Sequence, residues 1–483
     1  MTGPKGRRDR RSIWAFKYLL LVGIPLGVLA GVLASGAALH APPPVNEVVA
    51  GGAKAAPLPY SLLRLIGQVI LILAAARVVG KAFRKMHQPQ VVGEMAAGLL
   101  LGPSLLGAVS PALFGAVFPA GSLDFLQALS HIGLLVFMFL VGVELDLAVL
   151  RGQGRAAMTI SHTSIVVPFA LGTILATWLY PRLSHSEVGF IGFALFVGIA
   201  MSITAFPVLA RILTERRLLG TRVGAVTLAC AAIDDVSAWA ILAGVVLLVR
   251  STGLGVPPSV TLAGTLAFVG VMIWIVRPLL ARASARSDGR LTHDRLALVL
   301  MVVLLSAAAT EALGIHALFG AFLAGAVMPR EGGFGHALAS RLEDVTVVLL
   351  LPLFFAFSGL RTRIDLLSGA ETWLAFLAVM VVAVAGKLGG SALAARVTGM
   401  RWREALVLGT LMNTRGLMEL VVLNLGLEIG IISPRLFTVM VLMALVTTFM
   451  TTPILALLQR RPRGLAPPGQ RGVPEGVGEP QQA

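Results

Sequence analysis

The sequence predicts an all-α protein that crosses a membrane many times, and three observations lead there. Apolar residues make up 57% of the 483-residue chain and charged residues only 13%, about half the charged share with which a soluble chain coats a globule. The apolar residues fall in continuous blocks of about 20, the length that spans a bilayer as a helix. They do not alternate as the strands of a closed barrel do, and in hydrocarbon a helix satisfies its own backbone.

Excess basic charge gives a net +16. A nucleic-acid partner is excluded as its cause, because the basic residues sit in short loops between apolar blocks rather than on a soluble face. The single cysteine, Cys230, excludes an internal disulfide and a cysteine-held metal cluster.

The N-terminal segment, residues 1–59, opens with Lys5, Arg7, Arg8, Arg10 and Arg11, then an apolar run over 14–35 and a Pro/Ala/Gly-rich loop. The run is either a signal peptide, with small residues near 34–38 for cleavage, or a retained helix. Its length of about 20 residues favours retention. Both readings put 40–59 outside.

A transmembrane domain over 60–458 follows. Its expected spans are 61–80, 90–107, 126–149, 158–180, 188–213, 219–249, 259–281, 295–312, 314–328, 344–360, 372–398, 404–426 and 436–458. Alternate loops carry the basic residues, among them Lys81, Arg84, Lys85, Arg216, Arg217, Arg222, Arg401 and Arg403. The opposite loops hold mainly Arg182, Arg361, Arg363 and Arg435. This bias orients the chain with its C-terminal tail, 459–483, in the cytoplasm of a cell whose plasma membrane it spans.

Two short matches relate the halves. Phe137-Met-Phe-Leu-Val-Gly142 resembles Phe354-Phe-Ala-Phe-Ser-Gly359, and Gly198-Ile-Ala-Met201-Ser-Ile-Thr204 resembles Gly409-Thr-Leu-Met412-Asn-Thr-Arg415. An odd number of spans separates matching segments, so the copies, about 60–250 and 290–458, are inverted. That is the plan of secondary transporters.

Polar residues at mid-depth in a bilayer are costly and call for a reason. Span 219–249 carries adjacent Asp234 and Asp235 near its centre. On a helix they point about 100° apart, and two desolvated carboxylates so close do not readily ionise together. Such a group holds a proton or a cation but not both, which is the chemistry of exchange. Lys387, central in span 372–398, is the expected charge partner of Asp234, leaving Asp235 as the principal ligand of a monovalent cation.

Span 188–213 is interrupted at Met201-Ser202-Ile-Thr204-Ala-Phe-Pro207, where the proline is expected to free carbonyls near Ile203. Its repeat mate reads Met412-Asn413-Thr414-Arg415-Gly416-Leu-Met-Glu419. Broken helices at matching positions point to a transport site, with Ser202, Thr204 and Asn413 adding oxygen ligands. Arg415 and Glu419, four apart, are expected either to pair or to gate. His131, His162, His316 and Glu94 are weaker candidates.

No Walker A motif occurs, so ATP does not drive the protein directly, and no cofactor is implied. An intramembrane aspartyl protease would place its aspartates on separate helices, one in a Gly-x-Gly-Asp context, so enzyme chemistry is not expected. A passive channel would need neither a proton-competent pair nor an inverted repeat. The alternative on the same fold is a sodium-coupled symporter of an organic solute.

These residues resemble the monovalent cation:proton antiporter-2 family of bacterial sodium/proton antiporters, Kef-type proteins and plant cation/proton exchangers. The resemblance covers about 60–458. It rests on Gln90-Val-Val-Gly-Glu94-Met-Ala-Ala-Gly98 with Gly102-Pro103-Ser104, Ser202-Ile-Thr-Ala-Phe-Pro207, Asp234-Asp235, Leu351-Pro-Leu-Phe-Phe355, Lys387 and Asn413-Thr-Arg-Gly-Leu-Met-Glu419. It implies the inverted-repeat sodium/proton antiporter fold with two crossed discontinuous helices, a homodimer, and exchange of Na⁺ or K⁺ for protons by an elevator-like movement. It also implies that Asp235 binds the ion and that Asp234 pairs with Lys387, as in electrogenic members; plant relatives carry asparagine at the Asp234 position.

Overall fold

The computed structural model describes residues 13–36, 38–43, 62–144, 155–218, 221–253, 258–285, 291–329 and 334–459. The basic residues before 13, most of the loop to 61 and the tail beyond 459 lie outside the described residues. All described elements are helical. In chain order they are α1 (Ile13–Gly36), α2 (Leu62–Lys85), α3 (Gln90–Gly107), the short α4 (Pro111–Val117), α5 (Ala120–Glu144), α6 (Arg155–Leu183), α7 (Phe190–Ser202) and α8 (Phe206–Glu215). Then come α9 (Arg222–Gly253), α10 (Ser259–Arg282), α11 (His293–Ala312), α12 (Ala317–Ala326), α13 (334–361), α14 (Ala370–Val397), α15 (Trp402–Met412), α16 (Leu417–Glu428) and α17 (Pro434–Gln459).

Among the described residues twelve helices are long and apolar enough to cross a membrane, and the bent pair α15–α16 adds a thirteenth span. Within the expected span at 314–328 the helix itself, α12, is ten residues long. Gly314 (φ 80°) and Pro329 bracket it, so the chain turns at both ends.

Local sequence sets the ends. Helix α2 stops where His87 takes a left-handed φ of 58°, after which Pro89 caps α3. Proline also opens α4, where its missing N–H is no loss.

The helices pack in two groups. One holds α2, α3, α5, α11, α12 and α13; the other holds α1, α6, α7–α8, α9, α14, α15–α16 and α17. In the first group α3 and α13 meet backbone to backbone. A Cβ on Gly359 would stand 2.1 Å from the carbonyl carbon of Gly98, and one on Gly98 would stand 2.3 Å from the Phe355 oxygen. Small residues at a helix crossing allow this approach in membrane proteins.

Candidate ion-binding site

The site lies in the second group. Helix α9 runs unbroken through Asp234 and Asp235, so the two carboxylates leave the same turn in different directions. Asp234 is wholly buried, whereas Asp235 keeps 8% exposure.

Asp234 faces α6 and the break between α7 and α8. Its Oδ1 accepts from the hydroxyls of Ser161 at 2.8 Å and Ser164 at 3.0 Å. Its Oδ2 accepts from Ser164 at 2.7 Å, Thr204 at 3.2 Å and Lys387 Nζ at 2.8 Å. A buried charge requires such pairing and hydrogen bonding.

Lys387 sits in a widened turn of α14 over Ala385–Gly389 and is also wholly buried. Besides Asp234, its ammonium donates to the carbonyls of Ser164 at 3.0 Å and of Ser202. Three donors meet three acceptors. The Ser202 carbonyl ends α7, so the lysine also answers the negative end of that half-helix.

The two breaks are bonded to each other. Helix α7 stops at Ser202, and Ile203 and Ala205 are extended. Across the gap the Ala205 N–H donates to the Thr414 carbonyl at 3.0 Å, and Thr204 Oγ1 lies 3.2 Å from the Met412 carbonyl. Pro207 occupies the first turn of α8. The expected interruption is present, with the proline opening the second half-helix.

Arg415 completes the crossing. Its guanidinium donates to the carbonyls of Ala200 at 2.8 Å and Met201 at 2.6 Å, at the end of α7, and to Glu419 at 2.8 Å. Both residues are fully buried. Thr448 of α17 fastens the Arg415 backbone, accepting from its N–H at 3.1 Å and donating to its carbonyl at 2.8 Å. The geometry fits the pairing reading of Arg415 and Glu419, with the arginine acting as a cap.

Ser202 enters differently from expectation. Its hydroxyl donates to Gly198 and Ile165 carbonyls at 2.8 and 3.0 Å, so its contribution to the site is its backbone oxygen. Asn413 lies in the second break. Its Oδ1, Thr414 Oγ1 and Asp235 Oδ1 are buried side-chain oxygens with no hydrogen-bond partner among the described residues. Buried acceptors without donors are rare in folded proteins, and carboxylate, amide and hydroxyl oxygens are the ligand types that a hard cation takes.

Ser161 and Ser164 were not anticipated. The available signal was the polar run Thr159-Ile-Ser161-His-Thr163-Ser164 inside an otherwise apolar span. Also unanticipated is a second cluster around Glu428, at the end of α16. Its carboxylate lies 2.9 Å from His131 Nε2, 3.1 Å from Arg361 Nη1 and 3.6 Å from His316 Nε2. These groups line a cavity of about 530 Å³ between the two helix groups. His131 and His316 thus share a carboxylate brought from far along the chain. Glu94 is buried and accepts from Gln90 at 2.8 Å, apart from the aspartates.

Comparison with known proteins follows the same lines. A family model described as sodium/hydrogen exchanger, transmembrane, matches residues 69–458. The chain is 42% identical to the Na⁺/H⁺ antiporter NhaS4 of Synechocystis over 83% of this chain and 98% of that protein. It is 41% identical to cation/H⁺ antiporter 20 of Arabidopsis thaliana over 84% of this chain, and 34% identical to K⁺/H⁺ antiporter 1 of Saccharomyces cerevisiae over 81%. It spans 50% and 46% of those two relatives. The solved structure of the sodium proton antiporter MjNhaP1 of Methanocaldococcus jannaschii shares the fold, with a TM-score of 0.58 at 15% identity, covering 82% of this chain and 98% of that one.

Proposed function

The chain belongs to the sodium/hydrogen exchanger family, and from that premise we propose that it exchanges Na⁺ or K⁺ for protons through Asp235, with Asp234 and Lys387 as the fixed ionic neighbour. The observation that carries this reading is the contrast between adjacent carboxylates. Asp234 is saturated by three hydroxyls and an ammonium, whereas Asp235 Oδ1 has no donor. A carboxylate kept from water with an unused oxygen gains either a proton or a cation, and the two compete for the same lone pairs.

The neighbouring groups support the same role. Asn413 and Thr414 offer oxygens at one break, and the crossed half-helices bring carbonyl ends and N-termini toward the middle of the bundle. Broken helices at the midplane are where secondary transporters coordinate their ions. Small oxygen acceptors favour a bare ion over the organic solute of a symporter. In this reading the protein is a transporter of the plasma membrane and not an enzyme, works as a homodimer, and has the end of α17 on the cytoplasmic side, where Arg401 and Arg403 also lie.

The test is Asp235→Asn in everted vesicles carrying a pH-sensitive dye. Wild-type protein dequenches the dye on addition of Na⁺ or K⁺, and the variant, expressed to the same level, does not. Retained exchange in the variant would remove the assignment. Titration with each cation in turn separates Na⁺ from K⁺.

A further inference from the structure

We infer that α1 is a retained part of the ion-binding body and that Tyr18 on it is a positioning residue for the Asp234 site. Residues 19–36 of helix α1 pack against α6, and residues 24–36 also meet α7. Near its start, Trp14 Nε1 donates to Thr159 Oγ1 at 3.0 Å and Lys17 Nζ donates to the Val397 carbonyl at 3.0 Å. The Tyr18 hydroxyl and His162 Nδ1 share a hydrogen bond of 2.6 Å. Leu21 is buried in a cluster with Ile160 of α6, Cys230 of the helix that carries the aspartates, and Leu408 and Met412 of the half-helix before the second break. At the far end Gly36 abuts the Phe190 ring so closely that a Cβ there would stand 1.9 Å from it.

These contacts are more than a docked anchor needs. Thr159, His162 and Ser161 share one turn of α6, and the same stretch presents Ser161 and Ser164 to Asp234 and the Ser164 carbonyl to Lys387. Helix α1 therefore grips one face of the turn whose other face holds the ion pair. The bond between Tyr18 and His162 fixes how that turn is rotated, and a side chain held by packing and hydrogen bonds is how a site keeps its geometry. A segment removed as a signal peptide would take Trp14, Tyr18 and Leu21 with it and leave Ile160 and His162 facing lipid.

The test has two arms on the full chain with a C-terminal tag. Intact mass spectrometry of protein purified from membranes is expected to give a mass that includes α1; a chain beginning near residue 38 overturns retention. This readout needs no transport, so it decides retention even where the exchange reading fails.

The second arm rests on that reading. Tyr18→Phe keeps the ring against Trp14 and His162 and removes only the hydroxyl. In proteoliposomes KM for the cation is expected to rise about threefold to tenfold, the span of one net hydrogen bond, with the maximal rate per folded molecule unchanged. In a Ser161→Ala background the Tyr18→Phe change is expected to add little further, because both act through one turn. A lowered maximal rate at constant KM, or no change, overturns the positioning role.

Discussion

Lys387 Nζ and Asp234 Oδ2 stand 2.8 Å apart with both side chains wholly buried. Removing one member of such a pair strands the other charge and costs about 3–5 kcal/mol. Lys387→Ala is therefore expected to lower the melting temperature in detergent. Adding Asp234→Asn to it should recover most of the loss, since the stranded charge is gone. A double variant no more stable than Lys387→Ala alone would contradict the pairing.

The hydroxyls of α6 hold the aspartate more than they hold the fold. A hydrogen bond to a charged group contributes about 1.5–3 kcal/mol, and Ser164 reaches both oxygens of Asp234. Ser164→Ala is expected to change KM for the cation and the pH profile of exchange more than Ser161→Ala, which loses contact with one oxygen. Equal profiles for the two variants would show that the second contact is idle.

Arg415 is a matter of shape as well as charge. Its fork reaches two carbonyls and one carboxylate at once; a lysine, as a point charge on a flexible stem, does not reproduce that fork. Arg415→Lys should cost about 1–3 kcal/mol through the carbonyls left without a donor, read as a lower melting temperature. Transport by the fraction that folds should persist if the residue caps α7, and vanish if it gates.

Competition between proton and cation at Asp235 fixes a sign. As pH falls, a growing share of the sites holds a proton and is closed to the cation. Over the range where the proton-bound form dominates, KM for the cation should rise about tenfold per unit fall in pH, while the maximal rate at saturating cation changes less. A KM independent of pH over four units would exclude a shared site. Cation addition to purified protein in weak buffer should also release protons, measurable with a dye.

The spans were legible because burial in lipid leaves a one-dimensional record: twenty apolar residues need no tertiary information to be read as a helix. The pairing of Lys387 with Asp234 was legible for the same reason, since a lone ammonium at mid-depth demands a counter-charge. Ser161 and Ser164 were not, because a serine in a membrane helix commonly satisfies itself on its own backbone, as Ser358 does on Phe354. Ser202 misled for that reason too. The cluster at Glu428 was hidden by distance along the chain, its partners His131 and Arg361 being 297 and 67 positions away. Within 314–328 the apolar residues Ile315, Val327 and Met328 lie beyond the ends of α12, and composition alone does not mark where the helix stops.

The mutual bonding of the two gaps has a consequence for biosynthesis. Thr204 emerges from the ribosome 208 positions ahead of Met412, an interval of roughly 10–40 s at ordinary elongation rates. Throughout it the extended strip at 203–205 has no backbone to meet and must be sheltered by water at a bilayer defect or by the insertion machinery. Slowing translation between the codons for 205 and 412 would lengthen that exposure, so yield rather than activity is where synonymous changes in that stretch would register.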